Sequence, residues 1–514
     1  MALIPGISRR RFLSTAGQLA AVTALGSFGA QAWAAQGARR LTAGTRTIEV
    51  QGRAATVFGL TDERGRQGLT LDIADGFDVA LANEAGVPTV IHWHGLTPPF
   101  GQDGNTLSQE PIPAGGTKNF AFDLPRGGTN WMHSHFGLQE AQLMAAPLIL
   151  RDGAADRQEV VMLLHDFSFT SPEELMARLV GDDAGRIGSG MAAMQHGMVR
   201  GPSQDGTGMA GMDPSGMEGM EGMEGMDSMG MTMTMPMSGM DQDDMPMDLN
   251  DISFDAFLVN DRDLSDPEVI RVDRGAPVRL RVINAASSTN FWIDLGAVRG
   301  RLVAVDGMPV RPIIGRRFEL TMAQRVDIEI DIPDAALALP ILAQREGDTA
   351  RTGLILATQG ARIDRISSQA DRTAPPVLLD LERKLLAETP LQKRTVDRTL
   401  SCDLTGSMEP YVWGINGKTF ENRAPLEVKQ GERVEIVIRN RTMMSHPMHL
   451  HGHHFQVVGI GPARLSGAMR DTVLVPAMES VTIAFDADNP GNWPFHCHNL
   501  YHMQAGMMTA LRYL

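Results

Sequence analysis

Four His-x-His pairs punctuate this chain: His92 with His94, His133 with His135, His449 with His451, and His496 with His498. In an extended strand residues two apart point the same way, so each pair offers both imidazoles to one face. Eight imidazoles delivered in pairs from the two ends of a 514-residue chain are what a shared metal cluster requires. The last pair encloses Cys497, whose side chain takes the opposite face of the same strand. A thiolate with two imidazoles and a weak axial thioether is the ligand set of a blue-copper electron-transfer centre, and His502 and Met507 are candidates to complete it. His446 precedes His449 by three residues and so shares the strand parity of Cys497, although Pro447 loosens strict alternation. Electrons collected at Cys497 would travel only along the adjoining backbone to His496 and His498. Ten of the 14 histidines thereby acquire a metal role.

A glycine, a valine three residues on, and an apolar alternation ending at asparagine recur three times: Gly76-Val79-Asn83, Gly275-Val278-Asn284 and Gly431-Val434-Asn440. Such recurrence marks repeated units. The runs between them alternate like half-buried strands and are broken by turn-forming Gly, Pro, Asn and Asp, whereas long helical periodicity is scarce. The chain therefore reads as three β-sandwiches. Histidines follow the first and third repeats, but Asn290, Phe291 and Trp292 stand in the middle one. The second domain is expected to be a spacer that lets the first and third meet. Expected boundaries are residues 40–155, 156–370 and 371–514, broken where charged and Pro-containing stretches interrupt the strand pattern.

The four histidine segments, in this order, resemble those of the multicopper oxidases, over essentially all of the chain beyond its first residues. The resemblance implies an all-β fold of three cupredoxin-like Greek-key sandwiches. It implies a type 1 copper held by His446, Cys497, His502 and axial Met507, a type 2 copper held by His92 and His449, and two type 3 coppers held by His94, His133, His498 and by His135, His451, His496. It also implies four one-electron oxidations of a small reductant, Cu(I) or a phenol, coupled to reduction of O2 to water. Asp103 matches the position of a proton-donating acid in such proteins, and equally reads as a turn aspartate in Gln102-Asp103-Gly104-Asn105. Two positions depart from related bacterial cuprous oxidases. Met503 follows His502 where they carry an acid, and Thr442-Met443-Met444 precedes His446 where they carry an aspartate and a methionine. Met443 and Met444 remain candidate Cu(I) contacts or core methionines.

Residues 191–247 hold 17 of the 33 methionines, interleaved with glycine and with acids such as Glu218, Glu221, Glu224, Asp243 and Asp244. A glycine every third residue opposes a helix, so a disordered insertion in the second domain is expected. Thioethers select Cu(I) and the acids attract cations, which makes copper capture the preferred role over an inert linker; His196 sits among them. The expected function is Cu(I) oxidation in copper tolerance, with a laccase-like oxidation of phenols or a copper storage and transfer protein as alternatives.

The N-terminus, Ser8-Arg9-Arg10-Arg11-Phe12-Leu13 followed by an apolar stretch to Ala32-Trp33-Ala34, resembles a twin-arginine export signal over residues 1–34, with the periplasm as destination. That stretch is short for a membrane span, and no stable anchor is expected. The net charge of −15 argues against nucleic acid as a partner and favours cationic substrates. With Cys497 committed, Cys402 has no disulfide partner and reads as a buried thiol. His165 reads as a buried strand histidine with a hydrogen-bond partner, and His453 and His454 as supports for the third cluster. Oligomeric state does not follow from the sequence.

Overall fold

The computed structural model describes residues 37–181 and 249–514. The expected export segment and the methionine-rich stretch lie outside the described residues. Among those described, six sheets account for nearly all regular structure, two from each third of the chain. The first two draw on residues from Arg39–Val50 to Ala145–Arg151, the middle two on Gln158–Phe167 to Arg351–Ala357, and the last two on Arg398–Met408 to Met508–Tyr513. Antiparallel pairing dominates, yet each sheet carries one parallel pair at the equivalent place. Arg39–Val50 runs parallel to Phe77–Asn83, Gln158–Phe167 to Pro277–Asn284, and Arg398–Met408 to Arg433–Asn440. Facing them are the parallel pairs of Leu69–Asp72 with Ala145–Arg151, Val269–Arg271 with Arg351–Ala357, and Leu426–Val428 with Met508–Tyr513. The same Greek-key sandwich is thus built three times.

The repeated asparagine explains the repeat. Asn83, Asn284 and Asn440 are all buried at the end of their strands. Each accepts a hydrogen bond from the backbone N–H two residues on: Ala85, Ala286 and Thr442. Each also donates its amide to carbonyls across the turn: Val87 and Ile112, Thr289 and Leu320, Met444 and Val475. One side chain closes an Asx turn and pins the returning strand, satisfying backbone groups that would otherwise be buried unpaired. In the first and third sandwiches the pinned segment leads to histidines. In the middle one Asn290 instead donates to Glu346 and accepts from Met322.

Alternating strands bury Leu280, Val282, Ile328, Ile330, Ile341 and Leu354 in the middle core, and Ile436, Ile438, Val457, Ile483 and Phe485 in the third. The short helix Pro172–Val180 starts with Ser171 accepting from the Glu174 N–H and with proline in its first turn. Its Leu175, Met176 and Val180 join the core of the third sandwich rather than that of the middle one. Cys402 is fully buried there and burial pushes its thiol up, so it is an inert core residue.

His165 departs from expectation. It is buried, but neither ring nitrogen has a hydrogen-bond partner. Burial depresses it to about 4, only partly opposed by Asp261. An unfolded chain takes up this proton near 6.5 and the folded one does not, so stability is lost as pH falls from 6.5 toward 4. His165→Leu removes two unsatisfied polar atoms at nearly constant volume. The variant is expected to melt no lower than wild type at pH 7 and to gain roughly 2 kcal/mol relative to it by pH 5, read from thermal midpoints at the two pH values.

Candidate metal centre

Two strand pairings bring the imidazoles together. Ile91–His94 pairs with Gly128–Ser134 so that His92 lies opposite His133. His446–Leu450 pairs with Asn492–Cys497 so that His449 lies opposite His496, and Met448 opposite Cys497. Directly opposed residues share a face, and neighbours along a strand take the other. His449 and His496 therefore point one way, while Cys497 and His446 point the other. The first and third sandwiches meet with these faces together: His92 Nε2 is 3.4 Å from His449 Nε2, His451 Nε2 is 3.0 Å from His496 Nε2, and His94 Nδ1 is 3.4 Å from His133 Nε2. His135 packs edge-on to His451 and His496, and His498 lies beside His133 and Trp131. All eight are buried.

Burial first, and then the proximity of other imidazoles, holds His94, His133, His135, His449, His451 and His498 well below the usual histidine range. Burial places His496 at about 4. Their lone pairs are thus free at neutral pH. Outward nitrogens are anchored: His92 Nδ1 on the Asp103 carbonyl at 3.1 Å, His451 Nδ1 on Asp103 Oδ2 at 2.8 Å, His449 Nδ1 on the Asp471 carbonyl at 2.8 Å, His133 Nδ1 on Glu140 Oε2 at 2.8 Å, and His496 Nδ1 on the Cys497 carbonyl at 2.9 Å. Inward nitrogens face one another, and His135 Nε2 and His498 Nε2 have no partner. Neutral imidazoles oriented in this way fit a bound cation and leave the cluster unsatisfied without one.

A second group lies on the other side of the Asn492–Cys497 strand. His446 Nδ1 and His502 Nδ1 are 3.0 Å apart and stand 3.7 and 3.8 Å from Cys497 Sγ. All three are fully buried. Burial pushes the Cys497 thiol up, so a bound cation is what would hold it as a thiolate. His446 Nε2 is fixed at 2.7 Å from Thr442 Oγ1, and His502 Nε2 is 2.8 Å from Asp251 Oδ2. The helix Leu500–Gln504, capped by Asn499, presents His502, while the Trp413 ring lies tilted against it with centroids 4.2 Å apart. Met507 is buried; its N–H donates to the His502 carbonyl and its carbonyl accepts from the Cys497 N–H. Thiol, imidazoles and thioether are a donor set that suits copper. Met443 and Met444 diverge: Met443 is 46% exposed, and Met444 is buried in the third core.

Asp103 is buried between His92 and His451. The loop that carries it lies so close to the first histidine strand that a Cβ on Gly104, whose φ is +81°, would come 1.8 Å from the Ile91 carbonyl oxygen. His453 supports its neighbour, with Nδ1 on the His451 carbonyl and Nε2 on the Tyr513 hydroxyl. His454 sits against Arg126 and 3.9 Å from Asp471.

Sequence reasoning missed four charged residues: Asp251, Glu140, Asp471 and Arg325. Burial, with Asp166 adding to it, raises Glu140 well above the usual carboxyl range. Burial also opposes ionisation of Asp251, but His502 and the Tyr411 hydroxyl outweigh it and lower its pKa. The signal available in sequence was an acid inside an apolar or histidine-rich run, as in Met469-Arg470-Asp471-Thr472-Val473. The middle sandwich gives no imidazole to either group, yet it supplies Asp251 and Arg325 and is more than a spacer.

Three sequence families described as multicopper oxidase match residues 43–155, 230–361 and 394–514. A multicopper oxidase of Mycobacterium tuberculosis is 30% identical over 454 residues, covering 86% of this chain and 80% of that one. A copper resistance protein A homolog of Pseudomonas syringae pv. tomato is 25% identical over 624 residues, covering 98% and 99%. The crystal structure of a laccase from Botrytis aclada superposes with a TM-score of 0.68 at 21% identity, covering 92% of this chain and 86% of that one. Among the described residues, no helix is long and apolar enough to cross a membrane.

Because burial holds His94, His133, His135, His449, His451, His496 and His498 below the usual histidine range, protons should not compete with a metal for them at the pH where a solvated imidazole titrates. Copper(II) uptake by the imidazole cluster, measured by equilibrium dialysis of metal-free Cys497→Ser protein so that no thiol proton is displaced, is expected to be nearly equal at pH 7 and pH 5. A loss of uptake with a midpoint near 6.5, the value of a solvated imidazole, would contradict the buried, neutral cluster.

Proposed function

The chain belongs to the multicopper oxidase family, and from that premise we propose that it oxidises Cu(I) to Cu(II) with O2 as acceptor. In this reading His446, Cys497, His502 and Met507 hold the type 1 copper and His92 and His449 the type 2 copper. His94, His133 and His498 hold one type 3 copper, and His135, His451 and His496 the other. Copper bound in these sites would take electrons from the substrate singly at the thiolate group and deliver four to O2 at the imidazole cluster. The segment His496-Cys497-His498 joins the two groups covalently. Asp103 and Glu140, buried against the cluster imidazoles, are the groups able to hold and pass protons on to the reduced oxygen.

The observation that carries Cu(I) over a phenol is the closure of the thiolate group. His446, Cys497 and His502 are all at 0% exposure, so an aromatic donor has no imidazole edge on which to lie. An acid covers His502 instead: Asp251, four residues beyond the last methionine of the methionine-rich stretch. Exposed Met443, three residues before His446, offers a thioether at the surface. A thioether at the surface and a carboxylate against His502 suit a small soft cation better than a bulky aromatic donor. The methionine-rich stretch is proposed to gather that cation, and the twin-arginine-like N-terminus to direct the chain to the periplasm. The laccase reading is the alternative; a laccase of Neurospora crassa is 23% identical over 481 residues.

Oxygen uptake with chelated Cu(I) and with a phenol separates the two. Met443→Leu is expected to raise KM for Cu(I) severalfold and leave phenol turnover unchanged; equal effects on both donors would favour the laccase reading. Cys497→Ser should abolish the blue absorption and both activities together while the cluster coppers remain bound. Met507→Leu should keep the colour and raise the reduction potential, and an unchanged or lowered potential in voltammetry would remove Met507 from the axial position.

A further inference from the structure

Arg325 carries the middle sandwich to the second layer of the imidazole cluster. Arg325 opens the strand Arg325–Asp331 and is 0% exposed. Its two terminal nitrogens donate to Asp471 Oδ1 at 2.7 Å and Oδ2 at 2.6 Å, while Nε donates to the Thr129 carbonyl at 3.2 Å. Asp471 Oδ1 in turn lies 3.0 Å from His94 Nε2. His94 is thereby reversed relative to its neighbours. His92, His133, His449, His451 and His496 anchor Nδ1 and turn Nε2 inward, whereas His94 anchors Nε2 and turns Nδ1 inward, toward His133.

The room for this contact is specific. A Cβ on Gly95, whose φ is +94°, would stand 2.4 Å from the Arg325 nitrogen that donates to Asp471 Oδ2. The fork also restrains Asp471 itself. His94, His449 and Asp471 are close enough together to hold a metal ion among themselves. An Asp471 carboxylate released from Arg325 would become a competing ligand for the ion that His94 serves.

We propose that Arg325 is a positioning residue for the metal cluster: it holds Asp471 as the acceptor for His94 Nε2, so that His94 offers Nδ1 and Asp471 is kept from ligating. This rests on the reading that the eight imidazoles hold copper. Lysine keeps the charge but has no planar fork to engage both carboxylate oxygens. Arg325→Lys is expected to keep the type 1 blue band and to bind the cluster copper roughly ten- to hundredfold more weakly in a chelator titration. Its copper-free melting temperature should stay close to that of wild type.

If that variant does not fold, Arg325→Met combined with Asp471→Leu removes both charges together, a change that buried ion pairs often tolerate, and Arg470 still pairs with Asp306 at 3.0 Å. The double variant should likewise bind type 1 copper and lose cluster copper. Wild-type retention of cluster copper by either variant overturns the proposal, and so does a parallel loss of blue band, cluster copper and melting temperature, which marks a merely structural residue. A wild-type protein that takes up no copper beyond the type 1 site would instead fail the underlying reading.

Discussion

Eight buried imidazoles, packed with their inward nitrogens facing one another in a space closed to water, are the constraint on which the rest of the molecule depends. Desolvation depresses the basicity of His94, His133, His135, His449, His451, His496 and His498, so at neutral pH these rings take up no extra proton. Outward nitrogens are met by carbonyls and carboxylates, but facing pairs such as His451 Nε2 and His496 Nε2 at 3.0 Å have nothing to share except a cation. The two end sandwiches must therefore be held in register against a polar seam that neither could bury alone. The middle sandwich supplies part of that restraint in the form of buried charge, with Arg325 reaching Asp471 and Arg281 reaching Asp327 and Thr129.

Much of this was legible in the sequence because strand parity is a local property. His-x-His places two imidazoles on one face whatever the rest of the fold does, and the intervening Cys497 must then face away. The structure brings His449 and His496 together on one side and His446 and Cys497 on the other, and Pro447, which left the alternation open, stays in register opposite Leu474. The Gly-Val-Asn repeat was legible as a repeat but not as a mechanism. Only the structure assigns its asparagines to the carbonyls they pin, because those lie as many as 36 residues away.

What stayed hidden in the sequence depends on contacts between distant segments. Asp251 meets His502 and Tyr411, Arg325 meets Asp471, and His94 meets Asp471 across 377 residues. Nothing in the local pattern of Asp251 distinguishes it from the acids that precede it in the methionine-rich stretch. His165 failed for a different reason. Its apolar run implied burial correctly, but burial alone does not guarantee a partner: His165 lies opposite Leu258, and the adjacent Asp166 is taken by Ser287, Ser288 and Thr289.

The departures from related cuprous oxidases acquire a physical sense once the buried acids are placed. Met503 stands where an acid follows the last thiolate-group histidine in those proteins, and it is buried in the third core. A carboxylate is nevertheless present against the cluster: Glu140 approaches His133 and, at 3.7 Å, His498, from the short 3-10 turn Gln139–Gln142. Thr442 likewise stands near the place of a lost aspartate and holds His446 through a hydroxyl, while the acid beside the thiolate group comes from the middle sandwich as Asp251. The chemistry of the site constrains which charges must be near which rings, and far less which strand must deliver them.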